Sequence, residues 1–225
     1  MNLNEIETPA LLIESSILKN NISLMQKRCN EKGVKLRPHI KTHKMPRIAK
    51  MQLEEGAIGI AVAKLAEAEV FASEGFDDIQ IANIIIGEKK IDRLSKLNSK
   101  VKNLSVCVDS FDGIKQLSQR FDGQNQILKV IIEVDSGLGR SGLKEKTEIL
   151  NLVNEIEKCP GLSFEGLLTH AGQVYSAENF EEIKNIAKFE VEFICDLARF
   201  LRKNEKKVNI LSIGSTPSAN AYDSL

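Results

Sequence analysis

The strongest constraint on the fold is a regular alternation of short apolar segments with longer amphipathic ones. Apolar segments typical of strands occur at residues 34–40, 57–62, 78–82, 103–108, 127–134, 162–169 and 208–213. Amphipathic segments typical of helices lie between them, at 64–73, 88–97, 110–120, 145–158 and 177–203. This rhythm indicates βα units whose strands form a parallel sheet. Several strands are apolar almost without alternation, as expected when helices cover both faces of the sheet.

The predicted fold is a (β/α)8 TIM-type barrel, with residues 1–225 as a single domain, because such barrels reach this length around one core. Another strand-like segment, residues 8–14, precedes an amphipathic helix at 16–30 and is predicted to lie outside the barrel. The remaining segments leave the barrel one strand short of closure. We therefore expect a truncated barrel domain that lacks its last strand.

Charge and composition argue against several classes of function. The 31 basic and 31 acidic residues cancel, so no net field gathers nucleic acid or anionic lipid. No apolar run approaches the roughly 18 residues that span a bilayer, and the first residues do not resemble a secretory signal. The cysteines lack the close pairs of zinc sites. We expect a cytoplasmic protein with buried thiols that binds neither nucleic acid nor membrane.

A basic segment, RPHIKTHK at residues 37–44, ends the first predicted barrel strand. A lysine that emerges from an apolar strand into a cleft can be desolvated, lose its proton and condense with an aldehyde. Taken alone, the segment favours a different interpretation, in which Lys41 and Lys44 are ordinary solvated lysines of a loop, because lysine is usually exposed.

A glycine-rich segment, DSGLGRSG at residues 135–142, follows the strand predicted at 127–134. Its three glycines permit a sharp loop. Arg140 in this loop is a candidate to contact an anionic oxygen at the barrel mouth. A structural turn with an exposed Arg140 explains the segment about equally well.

Two further segments follow strands. In THAGQVY at 169–175, His170 and Tyr175 are candidates to face one cleft, although a structural histidine and a packing tyrosine would give the same pattern. In GSTP at 214–217, a glycine, two hydroxyl residues and a proline predict a helix start whose amides bind phosphate. A plain helix cap by Thr216 would look identical in sequence.

All four segments share one position, the carboxyl ends of strands, where barrels carry their reactive groups. Together with TPALLIE at residues 8–14, they resemble the motifs of pyridoxal 5′-phosphate (PLP) enzymes of the alanine racemase fold type. The resemblance is to the D-threonine aldolase and D-serine dehydratase family, through PHIKTHK at 38–44, DSGLGRSG, THAG and GSTP. Four motifs in the family's order, spread over essentially the whole chain, make it specific.

The resemblance implies a role for each motif residue. PLP would be attached to Lys41, Arg140 would lie near the phenolic oxygen of the cofactor, and His170 would pack against its pyridine ring. Tyr175 would contact cofactor or substrate. Gln173 departs from the family pattern, in which we expect histidine in many members, so the polar contact beside Tyr175 stays open.

The resemblance also assigns the cofactor phosphate to Gly214, Ser215 and Thr216. Family members continue into a last barrel strand and a β-rich C-terminal domain, which supplies the ligands of a divalent metal. The sequence is therefore interpreted as the N-terminal barrel domain without that domain and without metal ligands of its own. We expect the chain alone to be inactive and the full-length parent to be a homodimer.

The implied activity is that of a PLP-dependent lyase acting on a small D-3-hydroxy amino acid. A D-threonine aldolase would release glycine and an aldehyde, and a D-serine dehydratase would release an oxo acid and ammonia. One alternative is a non-catalytic protein similar to single-domain PLP homeostasis proteins, which the segments at 41–44 and 214–217 disfavour. The other is an amino-acid racemase, which the different lysine motif disfavours.

Overall fold

The computed structural model describes residues 3–222 and contains two compact units, one ending at Ile60 and the other beginning at Ala61. The first unit is built mainly from α1 (Ser15–Glu31) and α2 (Pro46–Glu55), which pack against each other. Pro46 begins α2, and Gly56 ends it with a φ of +124°. A proline at the start and a glycine just past the end are strong helix boundaries, and they identify a helix that the apolar pattern did not predict.

The strand predicted at residues 34–40 is wrong. The segment is extended, and Ile58 donates a backbone hydrogen bond to the Leu36 carbonyl at 3.0 Å, but only an isolated bridge at His39 follows. A short 3-10 helix, Ile40–Thr42, begins where the strand was expected to end. Extended chain becomes a strand only where a ladder of backbone hydrogen bonds continues, and a local apolar pattern does not ensure such a ladder.

The strand predicted at residues 8–14 is also wrong. These residues form no strand, and three apolar side chains are exposed there, at Leu11, Leu12 and Ile13. Leu11 is 91% exposed. Its apolar character therefore does not reflect burial within the part of the chain that the structure describes.

The second unit carries a six-stranded sheet in sequence order, with parallel pairing from β2 to β6. The strands are β1 (Ile60–Val62, which begins at the last residue of the first unit), β2 (Asp78–Ile84), β3 (Asn103–Val108), β4 (Leu128–Val134), β5 (Leu162–Thr169) and β6 (Ile210–Ser212). The helices are α3 (Leu65–Ser73), α4 (Glu88–Asn98), α5 (Phe111–Phe121), α6 (Lys146–Glu157), α7 (Phe180–Lys203) and α8 (Thr216–Ala221). The βα rhythm is confirmed. Residues 3–222 form six strands rather than the predicted seven, and the closed eight-stranded barrel stays a prediction.

The core of this unit lies on the central strands. Successive residues of β3 and β4 are buried, including Val106, Cys107, Val130 and Ile131, so both faces of these strands are covered. This confirms the interpretation of their unbroken apolar runs. The prediction of buried thiols is confirmed for Cys107 and Cys159, whereas Cys29 and Cys195, both on helices, are partly exposed.

The pairing of β5 with β6 requires a glycine. Gly166 pairs with Ile210, and an ideal Cβ at Gly166 would overlap the Ile210 carbonyl oxygen and lie 2.8 Å from its carbonyl carbon. Only a residue without a side chain lets the two backbones approach this closely. The same register sets Leu168 opposite Ser212, so the chain leaves both strands at neighbouring positions.

Candidate active site

The lysine segment belongs to the first unit. Lys41 is exposed and lies in the 3-10 helix, where its backbone N–H donates to His39 Nδ1 at 3.3 Å. Its neighbour Ile40 is fully buried and anchors this turn. Lys44 is also exposed and has a φ of +53°, a left-handed conformation that is uncommon for a residue with a side chain. Lys41 thus lies within a 3-10 turn rather than at the end of a strand.

His43 links this turn to α2. Its Nδ1 accepts a hydrogen bond from the Met45 backbone N–H at 3.0 Å. Burial is the main effect on the pKa of His43 and lowers it below the ordinary value. The imidazole is therefore neutral near pH 7 and can act as this acceptor.

The loop after β4, residues 135–142, is held by a buried carboxylate of its own. Asp135 accepts hydrogen bonds from the backbone N–H of Gly137 at 2.8 Å and of Gly139 at 3.0 Å, and Lys144 Nζ lies 3.2 Å from it. Burial alone would raise the pKa of Asp135, but the hydrogen bonds from Gly139, Gly137 and Lys144 bring it below its ordinary value. We call residues 135–142 the β4 loop.

Arg140 extends from the β4 loop toward Glu133, a buried residue of β4. Its guanidinium lies 3.5 Å from Glu133 Oε1, and the same oxygen accepts a hydrogen bond from Ser141 Oγ at 2.7 Å. The Arg140 side chain is 55% exposed, so more than half of its surface faces solvent. This arrangement leaves N–H donors of Arg140 available to an anionic ligand.

Residues 170–176, the β5 loop, contact the β4 loop directly. Thr169 Oγ1 donates to Ser136 Oγ at 2.8 Å, and Gln173 Nε2 donates to the Ser136 carbonyl at 2.9 Å. Gly137 passes so close that an ideal Cβ would lie 2.9 Å from Gln173 Nε2. Gln173 Oε1 is buried and has no hydrogen-bond partner among the described residues. Gln173 therefore presents one satisfied group and one unsatisfied acceptor.

His170 and Tyr175 lie side by side on the β5 loop. Their ring centroids are 6.5 Å apart and the ring planes are inclined by 55°. Tyr175 is 64% exposed, whereas His170 is half-buried. The structure thus brings together an imidazole and an accessible phenol at the carboxyl end of β5.

The loop after β6, residues 213–215, is the β6 loop. Gly214 has a φ of +119°, a conformation that favours glycine, and an ideal Cβ there would meet only the Tyr222 hydroxyl, at 4.0 Å. Ser215 caps α8 reciprocally with Ser218, through bonds of 2.9 and 3.3 Å. The cap is therefore Ser215 and not Thr216, which is the first residue of the helix and is exposed.

Glu190, on α7, is a site residue that the sequence analysis missed. Its carboxylate is fully buried. Oε1 accepts hydrogen bonds from the backbone N–H of Ala171 and of Gly214, both at 3.1 Å, and Oε2 accepts one from the Tyr222 hydroxyl at 2.7 Å. One side chain therefore joins the β5 loop, the β6 loop and the end of α8.

The three hydrogen bonds explain how a carboxylate can be buried here. A buried polar group left without a partner costs about 1–3 kcal/mol. The hydrogen bonds between Glu190 and its three donors avoid this cost on both sides. Burial, together with the charge of Glu190, raises the pKa of Tyr222 well above its ordinary value. Tyr222 therefore stays protonated and remains a donor.

A sequence signal for Glu190 does exist. The buried residues of α7 recur at helical spacing, at Ala187, Glu190, Ile194, Leu197, Ala198 and Leu201. An acidic residue within such an apolar stripe needs buried hydrogen-bond donors. The position of Glu190 within this stripe marks it as unusual, but the sequence does not identify the donors that it contacts.

The structure holds no cluster of three or more histidine, cysteine or acidic side chains suited to a metal ion within residues 3–222. Over the same residues, no helix is long and apolar enough to cross a membrane.

These features define an α/β protein with parallel strands whose polar, hydroxyl and aromatic residues gather at the carboxyl ends of β4, β5 and β6. The chain belongs to the alanine racemase N-terminal domain family, whose description matches residues 13–225. The aldolases and dehydratases of this fold are PLP enzymes.

Curated relatives are about one third identical to this chain in sequence. A D-threonine aldolase of Arthrobacter sp is 33% identical over 217 residues, which are 96% of this chain and 57% of the relative. A D-serine dehydratase of Dictyostelium discoideum is 32% identical, over 96% of this chain and 58% of the relative. The chain thus spans somewhat more than half the length of these relatives.

Solved structures agree with this family. D-threonine aldolase from Filomicrobium marinum superimposes with a TM-score of 0.93 at 28% identity, covering 97% of this chain and 59% of that one. D-threo-3-hydroxyaspartate dehydratase from Delftia sp. HT23 gives a TM-score of 0.91 at 32% identity, covering 96% of this chain and 57% of that one.

Proposed function

We propose that this chain is the PLP-binding part of a lyase that acts on a D-3-hydroxy amino acid, as a D-threonine aldolase or a D-serine dehydratase. Relatives bearing both names match nearly the whole chain at about a third identity. Another relative is named for 3-hydroxy-D-aspartate, also a D-3-hydroxy amino acid. The substrate class is the feature that these names share.

One observation carries the proposal. A single oxygen, Glu190 Oε1, accepts hydrogen bonds from both Ala171 and Gly214. The residue proposed to contact the ring, His170, precedes Ala171, and the residues proposed to hold the phosphate include Gly214. Because these two loops leave adjoining strands and are bonded to the same atom, a flat ligand that ends in a phosphate can engage both.

The side chains of the second unit fit such a cofactor in their chemistry. An added Cβ at Gly214 would meet only the Tyr222 hydroxyl, so there is open space over the β6 loop for a phosphate. We propose that Gly214, Ser215 and Thr216 border this phosphate, with hydroxyl donors from the latter two. The Gly214 amide is already bonded to Glu190 and the Ser215 hydroxyl to Ser218, so the hydroxyl of the exposed Thr216 would be the main donor to the phosphate.

The remaining residues would bind and orient the ring. We propose that His170 packs against the pyridine, that Tyr175 contacts cofactor or substrate, and that Arg140 donates to the phenolic oxygen. Arg140 suits this role because its exposed guanidinium carries a permanent positive charge.

When bound, PLP supplies a conjugated ring that accepts the electrons released at the substrate Cα. We propose that Lys41 Nζ is the amine to which the cofactor is attached. In a dehydratase, Lys41 Nζ, once freed because the substrate amine takes its place on the cofactor, would accept the Cα proton of the substrate, and hydroxide would leave from Cβ. In an aldolase, a base instead accepts the proton of the substrate hydroxyl, and the Cα–Cβ bond breaks. A divalent metal bound by ligands outside this chain, a homodimer and a cytoplasmic location are further proposals for the full-length protein.

The attachment site can be tested by borohydride reduction of the chain in the presence of PLP, followed by peptide mapping. We expect the pyridoxyl group on Lys41, no labelled peptide from Lys41→Ala, and unchanged labelling in the matched control Lys44→Ala. A pyridoxyl group on Lys44 would overturn the assignment. Turnover of D-threonine and of D-serine by the full-length protein with a divalent metal distinguishes the two activities.

A further inference from the structure

We propose, on the basis of the function proposed above, that Glu190 is a positioning residue that aligns the β6 loop with the β5 loop for the cofactor phosphate. Glu190 would touch neither cofactor nor substrate. Its carboxylate would instead fix the backbone to which the phosphate-binding residues belong.

Packing does not explain the carboxylate. Glu190 is fully buried in the apolar stripe of α7, between Ala187 and Ile194. An apolar side chain would fill such a position without the cost of desolvating a charge. The carboxylate is required only by its three donors, and these all come from the two loops and α8.

The geometry of the carboxylate is itself fixed. The Tyr222 hydroxyl donates to Oε2 at 2.7 Å, which holds the rotation of the carboxylate. With Oε2 held, Oε1 faces the two backbone N–H groups at equal distances of 3.1 Å. Tyr222 is also the C-cap residue of α8, so α8 is bonded at its start through Ser215 and at its end through Tyr222.

The cap with Ser218 restrains Ser215, but it does not fix the conformation of Gly214 before it. Strand β6 is three residues long. Gly214 has a φ of +119°, and a glycine can adopt many other backbone conformations at little cost. Without the bond to Glu190, Gly214 would sample them at the point where Ser215 and Thr216 are presented. Loss of Glu190 should therefore weaken the contribution of the phosphate to binding more than that of the ring.

The test compares dissociation constants of PLP and of pyridoxal, which lacks the phosphate, for the whole chain. The variants are Glu190→Ala, which removes the acceptor, and Glu190→Gln, whose amide oxygen can still accept from both N–H groups while its NH2 group donates to Tyr222. Glu192→Ala is the matched control, because Glu192 is exposed on the same helix. Absorbance titration gives both constants, and circular dichroism reports the folded fraction.

We expect Glu190→Ala to raise the dissociation constant of PLP about tenfold, the effect of losing one or two hydrogen bonds, and to change that of pyridoxal much less. Glu190→Gln should restore most of the difference, and Glu192→Ala should match the wild type. An unchanged ratio of the two constants in Glu190→Ala would overturn the positioning role. If Glu190→Ala does not fold, Tyr222→Phe is the second test. It should lower the ratio of the dissociation constant of pyridoxal to that of PLP. A ratio equal to that of the wild type would overturn the positioning role of Glu190. A wild-type chain that binds neither ligand would instead overturn the proposed function.

Discussion

The β4 loop and the β6 loop occupy equivalent positions, each following a parallel strand, but the glycine amides within them are held differently. In the β4 loop, Asp135 accepts from the amides of Gly137 and Gly139 a few positions away, although Ser136 is also bonded to the β5 loop. In the β6 loop, the Gly214 amide is bonded to Glu190, 24 positions away, although Ser215 is capped locally by Ser218. A contact of the first kind is specified locally, whereas one of the second kind depends on how a helix and two strands come together.

The largest effect should come from breaking the strand pair that carries the β6 loop. We expect Gly166→Val to prevent stable folding of the second unit, because its side chain would overlap the Ile210 carbonyl. Overpacking of this kind costs typically about 1–3 kcal/mol and more where backbone must move, a large part of the roughly 5–15 kcal/mol stability of a domain. Urea unfolding followed by circular dichroism measures it.

Gly75→Ala is the matched control, because Gly75 has a φ of +89° and open space around its Cβ position. It should cost only the backbone term of about 1–2 kcal/mol. Equal losses in Gly166→Val and Gly75→Ala would show that close approach of β5 and β6 is unimportant.

The next effect should come from the local anchor of the β4 loop. We expect Asp135→Asn to lower the free energy of unfolding by about 2 kcal/mol at pH 7, because charge-assisted hydrogen bonds are lost. The pKa of Asp135 is lowered in the folded protein, so its stabilisation is fully present above the unfolded pKa of about 3.9 and is lost as the pH falls through the folded pKa. Urea unfolding from pH 7 to pH 3 should therefore show that the difference in free energy of unfolding between wild type and variant becomes smaller toward pH 3.

Asp77→Asn, a change at an exposed carboxyl, serves as the control for the pH series. A gap between wild type and Asp135→Asn that stays constant or widens toward pH 3 would contradict the role given to the Asp135 carboxylate.

A smaller effect on stability is expected at Arg140. Because its side chain is 55% exposed and lies 3.5 Å from Glu133, Arg140→Ala should cost about 1 kcal/mol or less. If Arg140 donates to the cofactor as proposed, the same change should weaken PLP binding measurably, and Arg140→Lys should not fully restore it, since lysine lacks the forked donor geometry. Thermal unfolding and PLP titration of the same samples separate the two contributions. Unchanged PLP affinity in Arg140→Ala would remove Arg140 from the site.

The smallest effect is expected where the β4 and β5 loops meet. Gln173→Ala loses the bond to the Ser136 carbonyl but also removes the buried Oε1 that has no partner among the described residues. The two changes oppose each other, so the net loss of stability should be about 0.5 kcal/mol or less. A loss of 2 kcal/mol or more in thermal unfolding would show that Oε1 has a partner that stabilises the fold.

How much the sequence predicts follows the same division between local and distant contacts. The strands at 103–108 and 162–169 were predicted at their observed bounds. The segment at 34–40 has a similar local pattern but lacks a hydrogen-bonded ladder, which its own residues do not encode.

The candidate site divides in the same way. The proximity of His170 and Tyr175 was predictable, because five positions of a tight loop separate them. Glu190 was missed because its partners lie 19, 24 and 32 positions away. Contacts over such separations depend on the register of β5 and β6, which no motif within either strand specifies.

The bond between Tyr222 and Glu190 also gives the protein an optical reporter. The chain has no tryptophan and two tyrosines. Tyr175 is largely exposed, whereas the Tyr222 phenol donates to a carboxylate. A phenol bonded in this way emits weakly, because proton transfer to the carboxylate competes with emission, so the fluorescence of the folded chain comes mainly from Tyr175. Any opening of the β6 loop that separates Tyr222 from Glu190 therefore brightens the intrinsic emission, without an added label.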